Sequence, residues 1–249
     1  MGEGQASGLL RATDFEFRHR FWLIGAIFGA GFWLYAFDHV NVVQWVIDRT
    51  VGEESSRGAA IARGFFAFSA LLTLCAAMIR TWAAAYLRSD VVQDPSLRVE
   101  TIVADGPYRH VRNPLYLGSI LLGLGFAFLA SRTGFVVIFC GLTIFCLRLI
   151  GLEESRLERE QGERYREFCR RVPRLIPALM PRVAASGLKP EWGQAFLGES
   201  FMWGFFVGIA AFGITLKIVL TWIIIGFAML FYIVRSYVLQ ARRKAAKAS

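Results

Sequence analysis

Long apolar runs separated by short charged links restrict this chain more than any other feature. The runs are Phe21 to Phe37, Ala59 to Leu87, Leu115 to Ala130, Phe135 to Ile150, Phe196 to Leu216 and Ile218 to Leu239. A helix of roughly 20 apolar residues crosses a bilayer core about 30 Å thick, so the pattern predicts an all-α integral membrane protein with about six transmembrane helices. Composition agrees: a mean hydropathy of +0.46 is too high for an ordinary soluble domain. Arg18, His19 and Arg20 make the first run look like a secretory signal, but no small-x-small cleavage pattern follows at Asp38 to Val40. It reads as a retained helix. Arg63 and Arg80 interrupt the second run near its ends, where long basic side chains can snorkel to water.

The formal net charge is +9. Its location explains it without a nucleic-acid partner: Lys and Arg gather before the first run, in the link 88–113, in the segment 156–189 and in the tail "RRKAAKAS". Under the positive-inside rule this places both termini and both long polar links on the cytoplasmic side of a multi-pass protein. Cys75, Cys140, Cys146 and Cys169 form no CxxC pair, and His19, His39 and His110 are scattered, so no metal site or disulfide framework is expected.

The links carry finer signals. "VVQWVI" predicts a short interfacial helix, "SRTG" a tight turn joining two antiparallel helices, and Pro114 a helix start, because its missing N–H is not needed there. Gly118, Gly123 and Gly125 permit close approach of a neighbouring helix or a ligand. The charged stretch after Ile150 reads as helical up to Pro173, largely as a solvated face, with Glu160 and Arg164 spaced for an i,i+4 pair. The two polar links border the same helical hairpin on one membrane side. Tyr108 to Tyr116 and Arg148 to Glu154 therefore meet at one mouth, where charged side chains need partners, water or a ligand.

Two motifs lie at that mouth. "GPYRHVRNPLYLG" (Gly106 to Gly118), followed by "EESRLEREQGERYREFCRRVPRLIP" (Glu153 to Pro177), resembles the paired signature of the isoprenylcysteine carboxyl methyltransferase and phospholipid methyltransferase group of membrane enzymes. Both motifs in order, separated by a helical hairpin, make the match specific. The resemblance implies a cytoplasmic-side S-adenosylmethionine site built from loops and an amphipathic helix. Carried over residue by residue, cofactor contacts fall on Gln93; on Glu100, Thr101, Ile102 and Val103; on Tyr108; on Asn113, Pro114, Leu115 and Tyr116; and on Glu153. It also implies a division into N-terminal helices (1–87), a methyltransferase core (88–182) and a C-terminal helical pair with a basic tail (183–249).

Those residue types suit this ligand. An aromatic face at Tyr108 or Tyr116 attracts a sulfonium cation, and Glu153 and the Asn113 amide supply acceptors for hydroxyls and an ammonium. The chain departs from the prenylcysteine enzymes at Asn113, where they carry His, and their substrate-orienting arginine aligns one residue away from Arg148. Two catalytic expectations follow: Arg148 clamps a carboxylate acceptor, or Glu154 assists an amine that must lose a proton. The expected activity is methyl transfer to a lipid-like or amphipathic acceptor, a carboxylate first, with a phospholipid amine or a thiol as alternatives. Two other classes compete: an NADPH-dependent sterol-type membrane reductase, which has a similar R-H-P-x-Y block, and a non-catalytic membrane binding protein.

Overall fold

The computed structural model describes residues 11–51, 57–87 and 103–248. Within them every regular element is a helix apart from one isolated bridge between Asn41 and Ser131. The elements are α1 (Asp14–Arg18), α2 (Arg20–Trp33, continued by a 3-10 turn Leu34–Ala36), α3 (Val42–Thr50), α4 (Gly58–Tyr86), a 3-10 turn Gly106–Arg109, α5 (Pro114–Ala127), α6 (Arg132–Gln161), α7 (Glu163–Arg171), α8 (Trp192–Gly198), α9 (Ser200–Thr215) and α10 (Ile218–Ala248).

Local chemistry sets several helix starts. Thr13 and Glu16 form a reciprocal capping box on α1. The Asn41 Oδ1 accepts the Val43 and Gln44 N–H groups, starting the short helix expected from "VVQWVI". Pro114 opens α5, and the Ser131 hydroxyl accepts the Gly134 N–H to open α6. Gly162 stops α6 with a φ of +56°, which a side chain would resist, and α7 starts in a new direction. The expected Glu160–Arg164 pair spans this break and does not share one helical face. The ion pairs formed there are instead Arg166 with Glu158 and Glu163, Arg170 with Glu163, and Arg171 with Glu167.

Helices α4 and α6 and the Ile218–Leu239 part of α10 are long and apolar enough to cross a membrane, and α8 with α9, bent by 59°, forms a fourth candidate. The apolar helices Arg20–Ala36 and Pro114–Ala127 are shorter. The 14 residues of α5 rise about 21 Å against a core of about 30 Å. Among the described residues, length and composition support three to four of the expected six spans, and α2 and α5 are the shorter apolar helices.

Helix α4 is the centre, packed on α5, α8 and α9, while α6 covers the other sides of α5 and α2. The expected close approaches at Gly118, Gly123 and Gly125 all serve helix packing. A Cβ on these glycines would run into the Arg80 side chain, Leu142 and Thr73, respectively. Arg80 does not snorkel to water. Its guanidinium binds both carboxylate oxygens of Glu199 at 2.7 and 3.0 Å and donates to the Leu115 carbonyl and the Ser119 hydroxyl. Glu199 is buried at the break between α8 and α9, so this clamp fixes the bent pair against the first turn of α5. A buried charge pair of this kind is tolerable because the Leu115 carbonyl and the Ser119 hydroxyl take further N–H groups of the guanidinium.

Candidate functional site

The head of α5 and the polar third of α6 enclose a cleft of about 610 Å³, including its open mouth. It is lined by Leu87, Val103, Tyr108, Arg112, Asn113, Pro114, Leu115, Tyr116, Glu153, Leu157, Tyr165 and Phe168. Thus seven residues expected to hold a cofactor line one cleft: Val103, Tyr108, Asn113, Pro114, Leu115, Tyr116 and Glu153. Gln93, Glu100, Thr101 and Ile102 lie outside the described residues.

Each position follows from the chain's local geometry. Gly106, at a φ of +53°, turns the backbone against the Tyr86 ring, and the 3-10 turn that follows aims the buried Tyr108 inward. Successive residues on a helix point about 100° apart, so the adjacent Glu153 and Glu154 face different surroundings. The Tyr116 hydroxyl donates to Glu153 Oε1 at 2.9 Å on the cleft wall. Glu154 instead accepts from Arg112 Nε and Asn113 Nδ2 on one oxygen, at 3.0 Å each, and from Arg174 Nε on the other at 2.9 Å.

Glu154 therefore latches the "RN" of the first motif to the segment after α7. Arg112 extends that latch by donating to the Cys169 and Val172 carbonyls, and the Asn113 amide also donates to the Arg174 carbonyl. His110, offset from the position where the prenylcysteine enzymes carry a histidine, has Nδ1 2.8 Å from the Ala178 carbonyl and serves the same docking. Arg109 donates to the Val183 carbonyl. Asp105 accepts from the N–H groups of Ser186, Gly187 and Leu188 and from the Ser186 hydroxyl. Burial raises its pKa, but these hydrogen bonds outweigh burial and hold it below the usual carboxylate value.

Neither expected catalytic residue lines the cleft. Arg148 donates to both oxygens of Glu16 at 3.0 and 2.9 Å, tying α6 to the N-terminal helix. Burial opposes ionisation of Glu16, yet the Thr13 N–H and Arg148 bring its pKa below normal. Glu154 faces the cleft's supporting loops rather than its interior. Sequence reasoning missed Leu87, Arg112, Leu157, Tyr165 and Phe168. Leu157 is the leucine of E-E-x-x-L, and Tyr165 and Phe168 are the aromatic pair of Y-x-x-F, so the signal for three of them was in the second motif. Burial, followed by the Glu154 charge, pushes the Tyr165 phenol well above its ordinary range, so it stays neutral.

The frame is helical, with three to four helices long and apolar enough to cross a membrane, and it carries an aromatic and acidic cleft at one helical mouth. Residues 64–164 match the family model for phospholipid methyltransferases. The match runs from α4 to just before Tyr165 and Phe168 of the cleft, and over this segment the family is the one that the motifs indicate. That family implies a methyltransferase enzyme. No curated protein and no solved structure matches the chain significantly.

Proposed function

We propose that the protein transfers a methyl group from S-adenosylmethionine to the headgroup amine of a membrane lipid. The observation that carries the cofactor reading is the Tyr116–Glu153 pair in a cleft otherwise lined by aromatic and aliphatic side chains together with Arg112 and Asn113. Glu153 is an acceptor for ribose hydroxyls or the aminoacyl ammonium, Tyr108 and Tyr116 present π faces to a sulfonium, and Leu87, Leu157 and Phe168 provide a flat apolar surface for a purine. Bound there, the cofactor would supply an electrophilic methyl group. The chain's own task is to align acceptor and methyl and to keep water out, and no covalent intermediate on the protein is needed.

The acceptor follows from what the cleft leaves exposed to a ligand. A carboxylate acceptor calls for a guanidinium fork, but Arg148 is committed to Glu16 away from the wall. Arg112 reaches the wall while spending its Nε and one terminal nitrogen on Glu154 and two carbonyls. Glu153, the one acidic side chain on the wall among the described residues, is taken by the cofactor, so the amine reading rests on the commitment of Arg148 and Arg112 to other partners. Arg112 keeps the carboxylate reading in play as the second choice.

The test is to incubate protein in detergent–lipid micelles with methyl-labelled S-adenosylmethionine and either an aminophospholipid or a prenylated-cysteine carboxylate. Label that stays on the non-volatile headgroup after mild base hydrolysis supports the amine. Label freed by mild base as volatile methanol is a methyl ester and moves the acceptor to a carboxylate. Binding of NADPH without S-adenosylmethionine would instead assign a reductase, and binding of neither would assign a non-catalytic protein.

A further inference from the structure

The segment after α7 bears a cluster of apolar side chains that the site does not use. Ile176, Leu179 and Met180 are 82, 99 and 77% exposed. Their neighbour Leu175 turns the other way and packs into the cluster that includes Tyr116 and Leu149. Pro173, Pro177 and Pro181 interrupt the segment, so it cannot bury these side chains by coiling into a longer helix.

Its position is fixed by backbone bonds to the loop that heads α5. The Arg112 N–H donates to the Pro173 carbonyl, the Ala178 N–H to the His110 carbonyl, and the Arg182 N–H to the Arg109 carbonyl. The His110 ring in turn lies 6.0 Å from Trp82 in the last turns of α4, a helix long and apolar enough to span. The segment therefore sits where a membrane-crossing helix emerges. Its charge is one-sided as well: residues 170–189 hold Arg170, Arg171, Arg174, Arg182 and Lys189 and no acidic residue.

We infer that residues 173–182 form a wedge that inserts Ile176, Leu179 and Met180 into the headgroup and upper acyl region of an anionic lipid leaflet beside the cleft. Apolar side chains gain by leaving water, while flanking arginines are attracted to the negative surface within about one Debye length. The proposal does not depend on the reaction catalysed. It makes the same hydrogen-bonded strap that backs Arg112 and Asn113 of the cleft the element that sets the cleft's height on the membrane.

The experiment is photolabelling of the wild-type protein in nanodiscs of mixed zwitterionic and anionic phospholipid, with a phospholipid carrying a diazirine near its headgroup. Adducts are mapped by mass spectrometry. The expected result is adducts on the peptide spanning 173–182, none on the exposed polar residues 158–164, and loss of the former in Leu179→Glu/Met180→Glu. Wild-type labelling of α4 with nothing on 173–182 overturns the wedge and returns this face to a protein partner. Equal labelling of 173–182 in purely zwitterionic nanodiscs overturns the role of the basic flank.

Discussion

The two ends of the α5–α6 hairpin are both polar, and the cleft described above lies at one of them. At the turn end, Asn41 donates to the Phe128 and Ala130 carbonyls and the Tyr35 hydroxyl, while Tyr35 donates to the Leu129 carbonyl. Asp38 accepts from the Arg132 guanidinium and the Thr133 N–H, which holds its pKa down at about 2. Donors and acceptors there satisfy one another, and no lining residue of the cleft comes from this end. At the open end Glu154 gathers Arg112, Asn113 and Arg174 into a comparable network, but one helical step away Glu153 and Tyr116 stand on a wall with space in front of them. A polar cluster at a helix end thus closes the fold when its groups turn to each other. It makes a site when the network supports a second layer that faces a cavity.

The largest effect should come from removing the support at the open end. Glu154→Ala leaves Arg112 largely enclosed without its carboxylate, and a loss of about 3 kcal/mol is expected because Glu154 keeps some exposure. Thermal unfolding in detergent and a calorimetric S-adenosylmethionine titration should both deteriorate; intact binding would show that the latch is not what shapes the wall. Glu153→Ala tests the second layer. Loss of a charge-assisted hydrogen bond predicts affinity lower by about 10- to 100-fold with an unchanged melting temperature, and the reverse pattern would make Glu153 structural.

Asn41→Ala, at the closed end, should cost about 1–2 kcal/mol as a lost helix cap and leave cofactor affinity as it was. An affinity change would show that the two ends are coupled through the hairpin. A pH titration sharpens the contrast. Because the folded Asp105 pKa lies below its unfolded value, its stabilisation is complete above the unfolded value near 3.9 and is lost as pH falls through the lowered folded value. Asp105→Asn should therefore flatten the acid limb of the stability curve, as followed by hydrogen exchange at residues 186–188. The smallest effect is expected for Arg148→Lys: unchanged turnover on an amine acceptor. A large fall would return Arg148 to the acceptor site.

Much of the open end was legible beforehand because its residues are consecutive in the chain. Asn113 to Tyr116 sit on the first turn of α5, and a motif that short keeps its members together in any helical fold. The division of labour between Glu153 and Glu154 was not legible, since both are acids on one helix turn and only the neighbouring loops tell them apart. Arg148 was similarly ambiguous. Its partner Glu16 is 132 residues away in sequence, and no local pattern announces that pairing. The count of spans was legible only in part, because apolar composition marks a run but the length of α5 and the bend at Glu199 depend on packing.

The amino-acid sequence by itself determined the helical class, the hairpin around "SRTG" and the residues of the first motif that line one cleft. These rest on hydrophobic period, turn chemistry and adjacency, which are local. Tertiary structure alone decided that Arg80 is clamped by Glu199, that Arg148 is closed by Glu16, that Glu154 supports while Glu153 faces the cleft, and that Tyr165 and Phe168 complete it. Each of those outcomes depends on which distant group reaches a charge or a ring first, and that is settled by how the helices pack.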